Sequence, residues 1–400
     1  FVPIIAILLL AAALRFVDLE RVPPGLNVDE ALHAYEAFSI LRTGRDEWGR
    51  VFPVTFRAFN DFRRPLAIYS AVPFVAIYGL TVYAIRAMAA FWGWLTVVLT
   101  YRLASDLFGK RVGRASALLL TLSSWHVGFS RLGVEASGPL LPALLAGLIF
   151  GWRWYRTQRR RTLVLAGLFL ALALYAYTVA QALVPLLLGG IAMIFWRPLR
   201  RDFRGAAIAI VIMAVVAAPL VVAIATNPVT WNRLDAISVF AGPDGNAWRL
   251  ALVQWLSHFA PRYLFLTGDA SIIHHIQGYG QLYWAEMLLV PLGLVGLFRH
   301  NRDIRAGLLV LLWLGIAAVP AALTRQDMGS ANSMRGIAGA AAWAIVSGAG
   351  LALPARALRR TPRVGGALSG LLIGALLWNA GGVLQRYFTA YPIEAARAFE

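Results

Sequence analysis

The 400-residue chain has no cysteine, a single lysine and few charges of any kind: 14% of its residues are charged and 60% are hydrophobic. Without cysteine there can be no disulfide, no thiolate nucleophile and no thiolate-bound zinc. So little charge excludes a soluble globular domain, in which about a quarter of residues are charged. A core of this size could not hide so much apolar surface from water, so the chain reads as a polytopic membrane protein with little soluble mass. Of the 37 basic residues only Lys110 is a lysine, which leaves 36 arginines, a bias that a GC-rich genome suffices to explain. The net charge of +18 would suggest nucleic acid in a soluble protein. Here it is first an orientation signal, and no nucleic-acid partner is expected. The first residue is Phe rather than Met, so the sequence is expected to start inside a longer product.

A spanning helix needs roughly 20 mostly apolar residues. Eleven stretches qualify as candidates: 2–17, 82–105, 112–127, 137–155, 162–177, 180–196, 205–225, 283–298, 306–323, 337–355 and 364–385. The first lacks the basic flank and cleavage site of a signal peptide. The run 162–196 is too long for one span and short for two, and it is divided near Tyr177 because both of its ends are arginine-rich. Five basic clusters then fall on one side: Lys110 to Arg114, Arg153 to Arg161, Arg197 to Arg204, Arg299 to Arg305 and Arg356 to Arg363. That side should be cytoplasmic, with the N-terminus inside and the C-terminus outside. Of the 19 acids only Asp106, Asp202 and Asp303 fall inside, so the outer charges nearly balance. Acids and arginines sit together there, as a catalytic site would require.

Three external segments exceed simple turns: 18–81, 226–282 and the tail after Arg386. Connections longer than about 15 residues are usually functional or disordered. Residues 29–41 show helical periodicity, and Pro65–Tyr78 reads as a helix entering or lying on the membrane surface. The expected organisation is a transmembrane domain over 1–386 with external loops 18–81 and 226–282. The amphipathic tail 387–400 would begin a further external domain. The fold class is all-α.

Five constellations outside the spans could carry chemistry. Asp29 and Glu30 follow Pro23-Pro24-Gly25 and open the helix that also holds His33 and Tyr35. They can be a plain N-terminal cap, a carboxylate base at the membrane surface, or both. Asp61, Arg63 and Arg64 precede Pro65 and Tyr69; the arginines suit either a headgroup anchor or a phosphate clamp. Ser130-Arg131 and Glu135 lie in a short, otherwise apolar external turn. There they read as an i,i+4 pair or as a functional pair at membrane depth. Asp269, His274 and His275 supply part of a zinc donor set, although adjacent histidines on a helix do not share a face. A polar interface role for either histidine is the plainer reading. Arg335 opens the tenth span on the outer side and needs a partner: Asp327, Glu30 or a substrate phosphate.

The ordered set resembles the dolichyl-phosphate-mannose protein mannosyltransferase family and its bacterial relatives in the GT-C superfamily of membrane glycosyltransferases. It consists of Asp29-Glu30, then Thr43-Gly44-Arg45-Asp46-Glu47-Trp48-Gly49 with Pro53, Arg64-Pro65-Leu66 with Tyr69, Ser130-Arg131, and Gly268-Asp269 with His274-His275 and Gly280-Gln281-Leu282-Tyr283. The resemblance implies transfer of one sugar, with inversion, from a polyprenyl-phosphate carrier to a protein, lipid or glycan acceptor on the external face. It implies Asp29 as base, with Glu30 shaping the site. Lipid A aminoarabinose transferases are also similar; they carry Glu-Lys-Pro where this chain has Arg63-Arg64-Pro65. Arg64 then matches the donor-phosphate residue, and Arg63 replaces a glutamate that helps to hold zinc, which counts against a divalent metal. Arg63, Arg131, His275 and Arg335 join Arg64 as candidate phosphate ligands. Tyr35, Asp61, Tyr69, Glu135 and His274 are candidates for shaping the acceptor site. A prokaryotic cytoplasmic membrane with an external or periplasmic active site is the expected location.

A non-enzymatic lipid-sugar flippase is the main alternative. It calls for polar groups near the bilayer midplane and inverted repeats, and acids are nearly absent from mid-span positions. A scaffold would not explain why the acids concentrate in the external segments. Neither sugar nor acceptor is specified by the residues.

Overall fold

The computed structural model describes residues 3–58, 61–227, 237–241, 246–325, 331–357 and 361–399. Its helices in chain order are α1 Ile4–Phe16, α2 Val28–Thr43, α3 Pro65–Tyr78, α4 Val82–Phe108, α5 Lys110–Leu122, α6 Ser124–Phe129, α7 Leu140–Thr157, α8 Arg160–Leu174 and α9 Ala180–Ile194. They continue with α10 Trp196–Arg201, α11 Phe203–Ala225, α12 Ala247–Ser257, α13 Glu286–His300, α14 Ile304–Ala317, α15 Val319–Ala322, α16 Ala340–Ala357, α17 Pro362–Thr389 and α18 Tyr391–Phe399.

Each of the eleven apolar stretches is helical, and the break between α8 and α9 brackets Tyr177. Six helical segments are individually long and apolar enough to cross a bilayer: Val82–Phe108, Glu135–Thr157, Phe203–Ala225, Ile304–Ala322, Ile337–Pro354 and Arg363–Thr389. The chain is therefore an integral, multi-pass membrane protein. The remaining helices, such as the 13-residue α1 and the 15-residue α8 and α9, are shorter than a full span.

The central packing joins α13 to α16, α5 to α4 and α16, and α7 to α8. Small residues permit the closest of these approaches. A Cβ added to Gly293 would stand 2.0 Å from the Val346 carbonyl oxygen, and one on Gly350 would stand 2.0 Å from that of Leu289. Close backbone contact of this kind drives helix association where lipid supplies no hydrophobic force.

One departure from the all-α expectation is a two-stranded antiparallel hairpin, β1 Phe56–Ala58 with β2 Asp61–Arg63, in which Phe56 pairs with Arg63. Alternation over three residues per strand is too short to separate from a loop in sequence. The hairpin aims Arg63 and delivers the chain to Pro65, whose fixed φ starts α3. At the other end of the chain, α18 buries Tyr391, Ala395 and Phe399.

The segment between α1 and α4 is fastened by one buried ion pair. Asn27 caps α2, accepting from the Asp29 amide, while its own amide donates to Glu30 Oε2 at 3.0 Å. This is a capping box, and it ends 16 residues later at the left-handed Gly44. Glu30 and Arg86 of α4 are both fully buried and meet as a fork, Nε to Oε1 at 2.9 Å and Nη2 to Oε2 at 3.0 Å. Arg86 spends its other donors on the carbonyls of Leu19, Pro23 and Gly25. The Gly133 amide donates to Glu30 Oε1 at 2.8 Å. The connection 19–25, the start of α2, α4 and the turn at Gly133 are thereby tied together.

Removing one partner of such a pair leaves an uncompensated buried charge, at a cost of about 3–5 kcal/mol. Glu30→Gln and Arg86→Met are each expected to lose about that much stability, read as a lowered Tm in detergent. Arg86→Lys should not rescue, because a point charge cannot serve both carboxylate oxygens and three carbonyls. A Tm equal to that of the wild type in either single variant would contradict the clamp.

Candidate active site

Because Glu30 points into the clamp, the preceding residue points elsewhere: neighbours on a helix are about 100° apart. Asp29 is partly exposed and faces the hairpin, where Arg63 Nη2 donates to Oδ1 at 2.7 Å. Among the described residues no hydrogen bond reaches Asp29 Oδ2. Arg63 Nη1 also lies 3.5 Å from Asp61 Oδ2. Burial would lower the Arg63 pKa, but the surrounding Glu135, Asp29 and Asp61 outweigh it and raise it. This guanidinium is thus the cation of an acidic cluster.

Arg64, 2% exposed, is the N-cap of α3. Its amide donates to Glu135 Oε1. With the Gln181 amide turned so that its oxygen faces Arg64, that oxygen accepts from Nε and Nη2 at 2.7 Å each. Arg64 Nη1 is buried without a protein partner. Burial lowers the Arg64 pKa, with Glu135 and Asp61 opposing. The Leu66 amide donates to the Tyr175 carbonyl, which docks the start of α3 on the end of α8. Tyr177 follows, buried, within electrostatic range of Arg335, Glu135, Arg63 and Asp29. Arg335 is partly buried; its Nη1 donates to the Thr324 hydroxyl at 2.6 Å. Of the partners expected for it, Glu30 is taken by Arg86, and Asp327 lies outside the described residues.

Three residues that sequence reasoning passed over join this cluster. His33 is one turn from Asp29 on the same face of α2; its Nδ1–H donates to the Gly133 carbonyl at 2.9 Å, and its Nε2 is buried without a partner. Burial lowers the His33 pKa, so the ring is neutral, although the Gly133 carbonyl and Asp29 oppose that shift. Gln181 and Tyr177 are the others. Gln181 was legible as a polar residue inside an apolar run.

Other candidates are placed differently. Arg131 is fully buried and spends all five N–H groups on the carbonyls of Leu14, Arg15, Asp18 and Val22, with Phe388 against its face. It closes the C-terminal end of α1 and has no donor left for a phosphate. The expected pairing of Arg131 with Glu135 is absent among the described residues, because Glu135 turns to Arg64. Tyr69 donates to the Pro53 carbonyl and packs edge-on to Phe56, pinning the loop that carries the hairpin. Tyr35 is half-exposed on α2.

The histidine pair belongs to a second cluster. Asp269 accepts from the Ser333 amide and hydroxyl and from the Ser271 amide, and His274 Nδ1 lies 3.4 Å from its Oδ2. Burial would raise the Asp269 pKa, but His274 and these amides hold it at about 2. His275 Nε2 donates to the Tyr279 carbonyl and packs on Gly268. Among the described residues neither histidine shares a hydrogen bond or ion pair with Arg63, Arg64 or Asp29. Ser333 is two residues before Arg335, so this cluster braces the segment that carries Arg335.

A metal does not fit the described residues. Among the described residues no three His, Cys, Asp or Glu side chains are grouped to hold one. Where Asp29, Asp61 and Glu135 converge, Arg63 already supplies the positive charge.

Behind the site, Glu36 is buried one turn beyond His33; its Oε2 accepts from the Glu47 amide and its Oε1 has no partner. Burial pushes its pKa up to about 7. The folded state then binds a proton that the unfolded state, with an ordinary carboxyl pKa of about 4.3, releases. Stability contributed by that proton is lost as pH rises from about 4.3 to 7. Glu36→Gln should therefore raise Tm at pH 8 and change it little at pH 4.5. Equal shifts at both pH values would contradict this environment.

Comparison with known proteins adds the fold. The family model for dolichyl-phosphate-mannose-protein mannosyltransferase matches residues 63–223, a segment that starts at Arg63 and leaves Asp29 outside. No curated protein matches the chain in sequence. Among solved structures, ArnT from Cupriavidus metallidurans in the apo state has a TM-score of 0.61 at 18% identity, covering 99% of this chain and 69% of that one. The same protein bound to undecaprenyl phosphate has a TM-score of 0.57, with the same identity and coverage. The oligosaccharyltransferase AglB from Archaeoglobus fulgidus, in complex with an inhibitory peptide and a dolichol-phosphate, gives 0.59 at 15% identity; it covers 98% of this chain and 56% of that one. These likenesses show that the chain shares the fold of ArnT and AglB.

Proposed function

We propose that the chain is an inverting glycosyltransferase that moves one sugar from a polyprenyl-phosphate carrier to an acceptor hydroxyl or amine. The observation that carries this reading is Arg64 Nη1, a buried guanidinium nitrogen without a protein partner, in one cluster with the open Oδ2 of Asp29. The fold, shared with proteins that bind undecaprenyl phosphate and dolichol-phosphate, supports the same donor class.

In this reading the acceptor's lone pair attacks the anomeric carbon from the face opposite the phosphate. The bond from that carbon to the phosphate oxygen breaks, and its electron pair stays on the phosphate. Arg64 and Arg335 neutralise the charge that develops there, in a site where preorganised donors act strongly. Asp29 Oδ2 takes the acceptor's proton. Arg63 holds Oδ1 and fixes the carboxylate's orientation. Glu30, Tyr69 and the Asp269 cluster with His274 and His275 fix the positions of these groups. Arg131, held by carbonyls, acts through the end of α1. Asp61 and Glu135 orient Arg63 and Arg64, and Tyr35 stands on the acceptor side. Protein, lipid and glycan acceptors fit this chemistry alike.

We also propose that all eleven apolar helices cross the membrane, with the N-terminus and the arginine clusters on the cytoplasmic side. The site would then face the exterior or periplasm of a prokaryotic cell. The grouping of arginines at one set of helix ends supports this.

With purified protein and a polyprenyl-phosphate sugar, Asp29→Asn is expected to reduce lipid-phosphate release about 10²–10⁴-fold while leaving Tm near that of the wild type. Full activity in Asp29→Asn would remove the base. Chelation by EDTA should leave the wild-type rate unchanged, because Arg63 supplies the cation. A rate that falls with EDTA and returns with a divalent ion would overturn that assignment.

A further inference from the structure

Away from the acidic cluster, α7, α8, α9 and α11 enclose an apolar chamber of about 580 Å³. Its walls include Gly151, Trp154, Leu170, Gly189, Phe195 and Met213, and almost all of its lining is carbon. The chamber runs along these helices and reaches their arginine-rich ends, where Trp154, Phe195 and Leu199 line it. At that end α7 and α8 are joined by the turn with Arg159, Arg160 and Arg161, and α9 runs through α10 to α11 past Arg200, Arg201 and Arg204. All six arginines are exposed. The local acid is Asp202, which accepts from Arg160 Nε at 2.7 Å and from Trp154 Nε1 at 3.4 Å. Trp154 therefore joins the chamber wall to the charged rim. An apolar volume under a rim of excess positive charge matches one chemistry, an acyl chain attached to an anionic headgroup. Basic pockets between membrane helices on the cytoplasmic side recognise anionic lipid headgroups in this way.

We infer that this chamber and its arginine rim form a binding site for an anionic phospholipid of the leaflet opposite the active site. The carrier is not the occupant. Glu135, beside Arg64, precedes the N-terminal end of α7, and the rim lies at its C-terminal end. Eighteen residues at 1.5 Å each separate the two by about 27 Å. A phosphate at the rim is out of reach of Asp29.

Native mass spectrometry tests this with wild-type protein equilibrated in mixed vesicles of equal phosphatidylglycerol and phosphatidylcholine. Phosphatidylglycerol adducts should exceed phosphatidylcholine adducts several-fold. A Cβ added at Gly189 meets nothing within 4 Å, and one at Gly151 meets only the Ala166 methyl at 3.8 Å, so both positions accept side chains that fill the chamber. Gly189→Phe and Gly151→Leu should each remove the bound lipid while Tm shows a folded protein. Arg161→Gln with Arg200→Gln and Arg201→Gln should retain lipid but lose the preference for phosphatidylglycerol. Equal retention of the two lipids by the wild type, or unchanged phosphatidylglycerol adducts in both chamber-filling variants, would overturn the site. Displacement of phosphatidylglycerol by added undecaprenyl phosphate would also overturn it, by assigning the chamber to the carrier. None of these outcomes depends on whether sugar transfer is observed.

Discussion

A carboxylate and a guanidinium, both withdrawn from water, hold α2, α4 and the connection between α1 and α2 in register. Charges at such a depth are tolerable only when every donor and acceptor is used, and Glu30 and Arg86 use all of theirs. The position of α2 against α4 follows from that requirement, as does the path of residues 19–25 over the clamp. The rotation of α2 then decides which side chains look into the site. With Glu30 turned inward, Asp29 faces the hairpin, and His33 and Glu36 lie along the same stripe at helical spacing. The acidic pair in the sequence is thus two residues with separate duties, one structural and one available for chemistry.

The arginines divide in the same manner. Arg15, Arg86 and Arg131 are fully buried and turn toward main-chain carbonyls. Arg15 and Arg131 stitch α1 to neighbouring elements, and Arg86 gathers the connection that follows it, where lipid offers no water to satisfy those carbonyls. Arg63 is consumed by acids. Arg64 keeps a buried nitrogen without a protein partner, and Arg335 lies within electrostatic range of Tyr177, as do Glu135, Arg63 and Asp29. A negatively charged ligand entering there would meet donors already fixed in place, which is how an active site avoids reorganisation during reaction.

Much of this was legible beforehand. The apolar stretches marked the helices, Pro65 marked the start of α3, and Asp29-Glu30 marked the start of α2, although the capping residue is Asn27. Of the residues that carried the family resemblance, Asp29 and Arg64 come into the acidic cluster, whereas Arg131 and the histidine pair bond elsewhere. What stayed hidden depended on distant segments. Arg86 looked like an edge residue of a span, because its partner is 56 residues away. Arg131 looked like a phosphate ligand, because only the folded chain shows four carbonyl oxygens around it. Tyr177 and Gln181 lie at a helix break whose importance appears only once α3 docks on it. His275 sits in a motif that reads as a ligand set, yet its ring bonds to its own loop.

The central claim is that the donor phosphate sits between Arg64 and Arg335, within reach of Asp29. A structure of the protein with bound polyprenyl phosphate tests it most directly. The account places the phosphate within hydrogen-bonding distance, about 2.7–2.9 Å, of Arg64 Nη1. Phosphate density beside Arg131 or His275, with Arg64 Nη1 left unpaired, would contradict it.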